Sequence, residues 1–410
     1  MAEQKSAEAS ADVKKGKPYA GFFITLGIAV LVYLGLTWAP HSGISFLPYS
    51  EVSALAGTNM FYKFIWFIED FTNAQFYASV FAGLGLVAGA WIGYVLNCRK
   101  KKAGGFIICY SYKIFPWVFV AQMLGLAISV LLYTPLLDST GMGWIPTFIP
   151  FVSVPVIVIL TYGPNLPAVF TGSILTGLLA TPMGTVLNYY VLSPAGLPVV
   201  SANVLTMCFL GILVLEVCRY APWIDKSRGY FHGNAKAWGA KYAEATPSHD
   251  PYKTSWFLRR VLADFTEAQF YGNEWASGLM ILGVIIDWII DPSHIYYGSN
   301  LVPIMLSACI VSSAVGVFVY HKHWTKGFYP TFTPVVTVVP GIVLIIGGDV
   351  FLSLLAAVLG GLLTPPFAAM VTSHLPEGWH PMVGNTLSMA VCTALIAMVI
   401  KALPVIGIGI

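Results

Sequence analysis

Eleven stretches of this chain are almost wholly apolar for about twenty residues, the length a helix needs to cross a bilayer. A soluble fold has nowhere to put them. The chain is 57% hydrophobic and 10% charged, against about a quarter charged in soluble domains, so too little polar surface exists to face water. The runs have helix length, not the alternating pattern of roughly ten-residue strands that builds an outer-membrane barrel. The expected fold is therefore an all-α integral membrane protein.

The expected spans are Tyr19–Trp38, Phe76–Asn97, Ile114–Thr134, Thr147–Gly163, Leu166–Val191, Val199–Val217, Phe270–Ile290, Leu301–Tyr320, Thr331–Gly347, Val350–Val371 and Val383–Leu403. Basic residues collect on the cytoplasmic side of membrane helices. With the N-terminus inside, all of the 21 Lys and Arg residues except Lys63 and Lys401 fall in inner segments. One span more or fewer would break that pattern downstream. The expected orientation is N-terminus cytoplasmic and C-terminus outside, in a bacterial inner membrane.

Internal repetition sets the architecture. Asp70-Phe71-Thr72-Asn73-Ala74-Gln75-Phe76-Tyr77 returns as Asp264-Phe265-Thr266-Glu267-Ala268-Gln269-Phe270-Tyr271. Pro146-Thr147-Phe148-Ile149-Pro150 returns as Pro330-Thr331-Phe332-Thr333-Pro334, and Gly177-Leu178-Leu179-Ala180-Thr181-Pro182 as Gly361-Leu362-Leu363-Thr364-Pro365-Pro366. Asn203 and Met207 return as Asn385 and Met389. Each unit holds five spans, an odd number, so the second enters the membrane from the opposite side. This is an inverted-topology repeat, a plan of transporters and channels. The expected divisions are a disordered cytosolic tail over 1–18, an extra helix over 19–38, repeat one over 46–220, a cytosolic linker over 221–254 and repeat two over 255–410. The segments 46–70 and 256–264, rich in aromatics beside charges, read as interfacial helices that feed the repeated motif. Asp70 and Asp264 read as caps of the helices that follow.

The fourth span of each unit carries Pro150 and Pro155, or Pro334 and Pro340, and the fifth is expected to be interrupted at Thr181-Pro182 and Thr364-Pro365-Pro366. Proline frees a backbone carbonyl four residues back, which is tolerated in a membrane where it faces protein or a water-filled cavity. Paired breaks in inverted repeats point to a solute site near the midplane. The candidate solute-binding residues beside these breaks and in the last span of each unit are Asn165, Thr181, Asn203, Thr206, Thr364, Asn385, Thr386 and Ser388. Serine and threonine also bond back to their own helix, so each singly has a structural alternative. Carboxylates within the apolar zone are functional candidates by default. Asp349, which matches Asn165, and Glu274 are the candidates for coupling a proton or sodium, with a helix cap as the alternative for Asp349. His380 is a candidate gate or solute contact.

Absences narrow the field. There is no GxxxxGK[ST] phosphate loop, no HExxH and no Ser, His and carboxylate set. The six cysteines are scattered, so neither a disulfide framework nor a thiolate metal site is expected. No catalytic activity, cofactor or metal is expected, and no nucleic-acid partner.

The paired motif set resembles a bacterial multi-pass family that carries only an unknown-function label. The likeness covers most of the chain after residue 60 and implies no substrate. The five-plus-five plan is similar in outline to urea transporters and to the amino-acid and sodium symporters; no urea-transporter signature is present and no binding residue carries over. The expectation is a transporter of a small polar or anionic solute, with the bilayer and further copies of the chain as candidate partners. The alternatives are a passive solute channel and a membrane subunit of a multi-subunit redox or enzyme complex.

Overall fold

The computed structural model describes residues 17–111, 113–140, 143–226 and 250–403. Most of the expected tail, and residues 227–249 of the linker expected over 221–254, lie outside the described residues. The described chain is 73% helical, with no strands. Its main helices are α1 (Tyr19–Thr37), α2 (Tyr49–Leu55), α3 (Met60–Glu69), α4 (Val80–Cys98), α5 (Phe115–Tyr133), α6 (Pro135–Thr140), α7 (Ile149–Val152), α8 (Val154–Tyr162), α9 (Leu166–Leu187), α10 (Val199–Tyr220), α11 (Thr254–Asp264), α12 (Glu274–Ile290), α13 (Val302–Val319), α14 (Val339–Ile345), α15 (Val350–Ser373) and α16 (Met382–Ala402).

Eight of these are long and apolar enough to cross a membrane: α1, α4, α5, α9, α10, α13, α15 and α16. The three other expected spans are shorter. The segment expected over Phe270–Ile290 is α12, of 17 residues. That over Thr147–Gly163 is split into α7 and α8 at Ser153, whose φ of −140° and ψ of −107° are not helical. That over Thr331–Gly347 is a wide π turn, Pro334–Val338, running into α14.

Two expectations about helix boundaries are corrected. The fifth span of each unit is not interrupted: α9 runs through Pro182, and α15 runs through Pro365 and Pro366. Proline strips the partner from the carbonyl four residues back, here Leu178 for Pro182 and Leu362 for Pro366. Tyr133 donates its hydroxyl to the Leu178 carbonyl, and Tyr320 donates to that of Leu362. A neighbouring helix thus supplies the donor that Pro182 and Pro366 take away, Pro365 likewise freeing the Gly361 carbonyl, and both helices continue. The second correction concerns Asp70 and Asp264. They end α3 and α11 and do not cap the helices that follow. Those caps are Ser79, which accepts from the Ala82 amide at 3.0 Å, and Asn273, which accepts from the Trp275 amide at 2.8 Å.

The tightest contact joins α4 to α12. A Cβ on Gly85 would strike the Leu279 carbonyl, one on Gly89 the Trp275 carbonyl, and one on Gly283 the Phe81 carbonyl. As the residue number rises on one helix it falls on the other, so the pair is antiparallel. Gly89 and Gly283 hold the same place in the two repeats, as do Phe81 and Trp275, so each helix offers its glycine to the same backbone point of its partner. Small residues at such a crossing let two backbones approach closely. Away from this pair, α9 packs on α5 and α10, α15 on α13 and α16, and α10 on α16. Helix α1 lies against α13 and α11, where Phe22 stacks on Phe318 at 4.5 Å.

Candidate functional site

The two motif copies fold alike. Tyr77 and Tyr271 donate their amides to the carbonyls of Thr72 and Thr266, each at 3.1 Å. Phe76 and Phe270 then turn the chain in the left-handed region, with φ of 69° and 65°. A bulky residue there is strained and holds only where its surroundings fix it. This turn is why α4 and α12 start at Val80 and Glu274 and not at the phenylalanines.

The copies meet. Gln75 Nε2 donates to Gln269 Oε1 at 2.6 Å and to the Phe265 carbonyl at 2.9 Å; Gln269 Nε2 donates to Gln75 Oε1 at 2.9 Å and to the Phe71 carbonyl at 3.0 Å. Each copy does to the other what the other does to it, the signature of a two-fold contact. The copies precede opposite ends of the antiparallel overlap, in which the start of α12 lies level with about Ala90 of α4, roughly 15 Å from Val80 at about 1.5 Å per residue. To touch, both copies must fold inward from those ends. Helices α3 and α11, expected to lie in the headgroups, lead into these inward turns, and Trp66 and Arg260 at matching positions are fully buried.

Two more exchanges repeat the symmetry. Tyr297 donates its hydroxyl to Asn73 Oδ1 at 2.5 Å, and Tyr110 donates to Glu267 Oε2 at 2.7 Å. Both tyrosines sit in turns with two successive positive φ values, 51° and 55° at Cys109 and Tyr110, 51° and 57° at Tyr296 and Tyr297. Thr147 donates to Asp70 Oδ2 at 2.7 Å, and Thr331 to Asp264 Oδ1 at 3.1 Å.

Charge breaks the symmetry. Within the octapeptide only Asn73 and Glu267 differ. At the Asp264 end Arg260 bridges Asp264 at 2.9 Å and Glu267 at 2.7 Å, and its guanidinium lies over Trp324 at 4.8 Å. At the Asp70 end Trp66 fills the place of Arg260, and its indole donates to Thr147 at 2.7 Å. Nearby, His294 is held between two buried carboxylates, Asp287 on Nδ1 at 2.8 Å and Glu69 on Nε2 at 2.9 Å. Burial lowers its pKa, but the two carboxylates outweigh that and raise it to about 10. His294 is therefore an imidazolium at neutral pH.

Two cavities flank the meeting point. The first, about 60 Å³, is lined by both repeats: Phe76 and Phe270, Phe148 and Phe332, Asn203 and Asn385, Met207 and Met389, with Glu267, Tyr110, Thr386 and His380. That is room for a few waters or a small molecule. The second, about 240 Å³ and more open, is lined by Tyr49, Asn73, Trp144 and Tyr297 among others. Phe76, Val200 and Asn203 border both. Asn203 is buried and, among the described residues, its Oδ1 has no hydrogen-bond partner, an acceptor left open at the wall between the two spaces.

Of the candidate solute-binding residues, Asn203, Asn385 and Thr386 line the first cavity together. Thr206 and Ser388 bond back to the carbonyls of Ala202 and Gly384, four residues before them. Thr181 pairs with Ser129 at 2.7 Å, and Thr364 lies beside Cys392. Asn165 and Asp349 cap α9 and α15, accepting from Ala168 and Leu352. Glu274 is ion-paired with Arg259 at 2.5 Å and accepts the Phe106 amide. The reading from sequence missed Glu267, Tyr110, Phe76 and Phe270 as lining residues. The signal for Glu267 was present, because it is the position where two otherwise identical octapeptides differ.

Comparison with protein-family models, with curated proteins and with solved structures returns no match for this chain.

Proposed function

We propose that this chain is an inner-membrane transporter of a small polar solute that passes between the two repeats. The reading comprises eleven spans, an N-terminus inside, and repeats of inverted topology. The antiparallel pair α4 and α12 supports the inversion, since equivalent helices of inverted repeats cross the membrane in opposite directions. The reciprocal Gln75 and Gln269 bonds support a pseudo-two-fold axis through the site.

One observation carries the function: two cavities with lining from both repeats share Phe76, Val200 and Asn203, whose side-chain acceptor is open. A solute would be held by Asn203, Asn385 and Thr386 against an aromatic and aliphatic wall. Alternating access would move Phe76 and Phe270 from one side of it to the other. Among the described residues the lining of the first cavity presents no Lys or Arg, and its Glu267 carboxylate is paired with the buried Arg260, which favours a neutral polar solute over an anion.

The test is a thermal-stability screen of the detergent-purified protein against small metabolites, followed by flux of any hit into proteoliposomes. A ligand that binds only the folded state stabilises it by about 2.7 kcal/mol at a hundred times its Kd. We expect a hit that is lost in Asn203→Ala and whose uptake saturates and is accelerated by the same solute on the far side. Flux without saturation or exchange would make the protein a channel. A preparation that binds no solute and always carries further subunits would overturn transport in favour of a membrane subunit.

A further inference from the structure

We infer that Asp70 is a proton-binding site, the place where a coupled carrier would load its ion; the coupling half of this statement rests on the transport reading above. The two repeats provide an internal comparison. Each buries the same aspartate beneath the same threonine, Thr147 on Asp70 and Thr331 on Asp264. At the Asp264 end Arg260 supplies a positive charge. At the Asp70 end the same place holds the Trp66 indole. Asp70 is fully buried, and its bonds are from neutral donors, Asn73 Nδ2 at 2.8 Å and Thr147 Oγ1 at 2.7 Å. Among the described residues no Lys, Arg or His lies within ion-pair distance of it.

An ionised carboxylate buried without a cation costs several kcal/mol even after the site relaxes, and such a group takes a proton instead. The titratable groups facing Asp70 are Glu69, Tyr49 and Tyr297. None is a cation. Beyond Glu69 lies His294, held between Glu69 and Asp287 at 2.9 and 2.8 Å, so the nearest cationic side chain is engaged by two other carboxylates. Burial of Asp70, with Glu69 beside it, favours the protonated form over the two neutral hydrogen bonds that favour the carboxylate.

Solvent space is also close. Tyr297 and Asn73 line the second cavity, Tyr297 donates its hydroxyl to Asn73 Oδ1 and Asn73 Nδ2 donates to Asp70 Oδ1, so one side chain stands between the carboxyl group and that cavity. Asn73 also closes the turn that sets Phe76, its carbonyl accepting the Phe76 amide at 3.0 Å. The residue that bonds Asp70 thus fixes the phenylalanine between the two cavities. Uptake is a simple balance, a carboxylate and a hydronium ion giving a carboxylic acid and water, with the new O–H bond on Asp70.

The experiment is infrared difference spectroscopy of the detergent-purified full chain, titrated with pH, in sodium and in choline salts. The wild type should show the carbonyl band of a protonated, water-excluded carboxyl group persisting at neutral pH. That band should be lost in Asp70→Asn and kept in Asp264→Asn. Trp66→Arg, which installs the cation of the other repeat, should also remove it while Asp70 is still present, so the outcome can be read even if Asp70→Asn fails to fold. A band unchanged by both Asp70→Asn and Trp66→Arg overturns the site. A carboxylate signal that responds to sodium at fixed pH, with no protonated band, overturns the proton in favour of a metal cation. The readout needs no solute. A band that follows Asp70 in a protein that moves nothing would keep the proton site and remove the transporter.

Discussion

His294 shows what one side chain contributes when both its ring nitrogens face carboxylates. Its pKa rises from 6.5 to about 10 on folding. A group whose pKa is higher folded than unfolded binds more protons in the native state, so its stabilisation is complete below pH 6.5 and is lost as pH rises through about 10. Melting temperature should therefore fall between those limits, and His294→Gln should flatten the slope there; an unchanged slope would show that His294 is neutral in the fold. The variant should also be less stable at neutral pH by about 3–5 kcal/mol, because Glu69 and Asp287 stay buried without their cation. Nothing local in the sequence shows this trio, whose members lie 225 and 7 residues from His294. Asp349 is the opposite case. Its cap bond reaches three residues along the chain, so the structural alternative was legible beside the coupling one. Glu274 looked like an intramembrane carboxylate because its partner Arg259, 15 residues earlier, belongs to a helix that folds back on it.

At the scale of elements, the prolines mark where sequence reading and structure part. Proline was expected to interrupt the fifth span of each unit, since its own helix loses a hydrogen bond there. What keeps α9 and α15 whole is a tyrosine on the adjacent helix, Tyr133 for one and Tyr320 for the other. Their positions in sequence say nothing until α5 is set against α9 and α13 against α15. A double-mutant cycle follows from this. Tyr133→Phe should cost about 0.5–1.5 kcal/mol by orphaning the Leu178 carbonyl. In a Pro182→Ala background the restored amide takes that carbonyl, and the same Tyr133→Phe change should cost close to nothing. Tyr320→Phe with Pro366→Ala should repeat the result. Equal costs in both backgrounds would mean that the tyrosines act through packing alone. Repetition itself was fully legible, in order and spacing. That the repeated octapeptide is an inward turn and not a helix start was hidden, because a left-handed phenylalanine has no sequence signature of the kind glycine gives.

For the whole molecule the decisive contact is that of α4 with α12. Antiparallel packing through Gly85, Gly89 and Gly283 means that if α4 enters the bilayer from one face, α12 enters from the other. Gly89 has no room for a side chain, since a Cβ there meets the Trp275 carbonyl. Gly89→Leu should force the backbones apart, pull Gln75 from Gln269 and lower both melting temperature and yield, whereas Leu84→Ala on the exposed face of the same helix should change little. The inversion itself is tested by sidedness. With the exposed Cys98 replaced by serine, single cysteines at Lys63, Lys100, Lys322 and Lys401 can be treated with a membrane-impermeant maleimide on intact and on opened cells. Inverted repeats with the N-terminus inside require Lys63→Cys and Lys401→Cys to react on intact cells, and Lys100→Cys and Lys322→Cys only once the membrane is opened. Lys63 and Lys100 flank α4, so their opposite labelling would fix one copy's direction. Lys322 and Lys401 then decide whether the second copy runs the other way. Labelling of Lys401→Cys from the same side as Lys322→Cys would leave an even number of crossings between them, remove one of the short proline-broken segments from the membrane, and end the inverted-repeat reading on which the solute path depends.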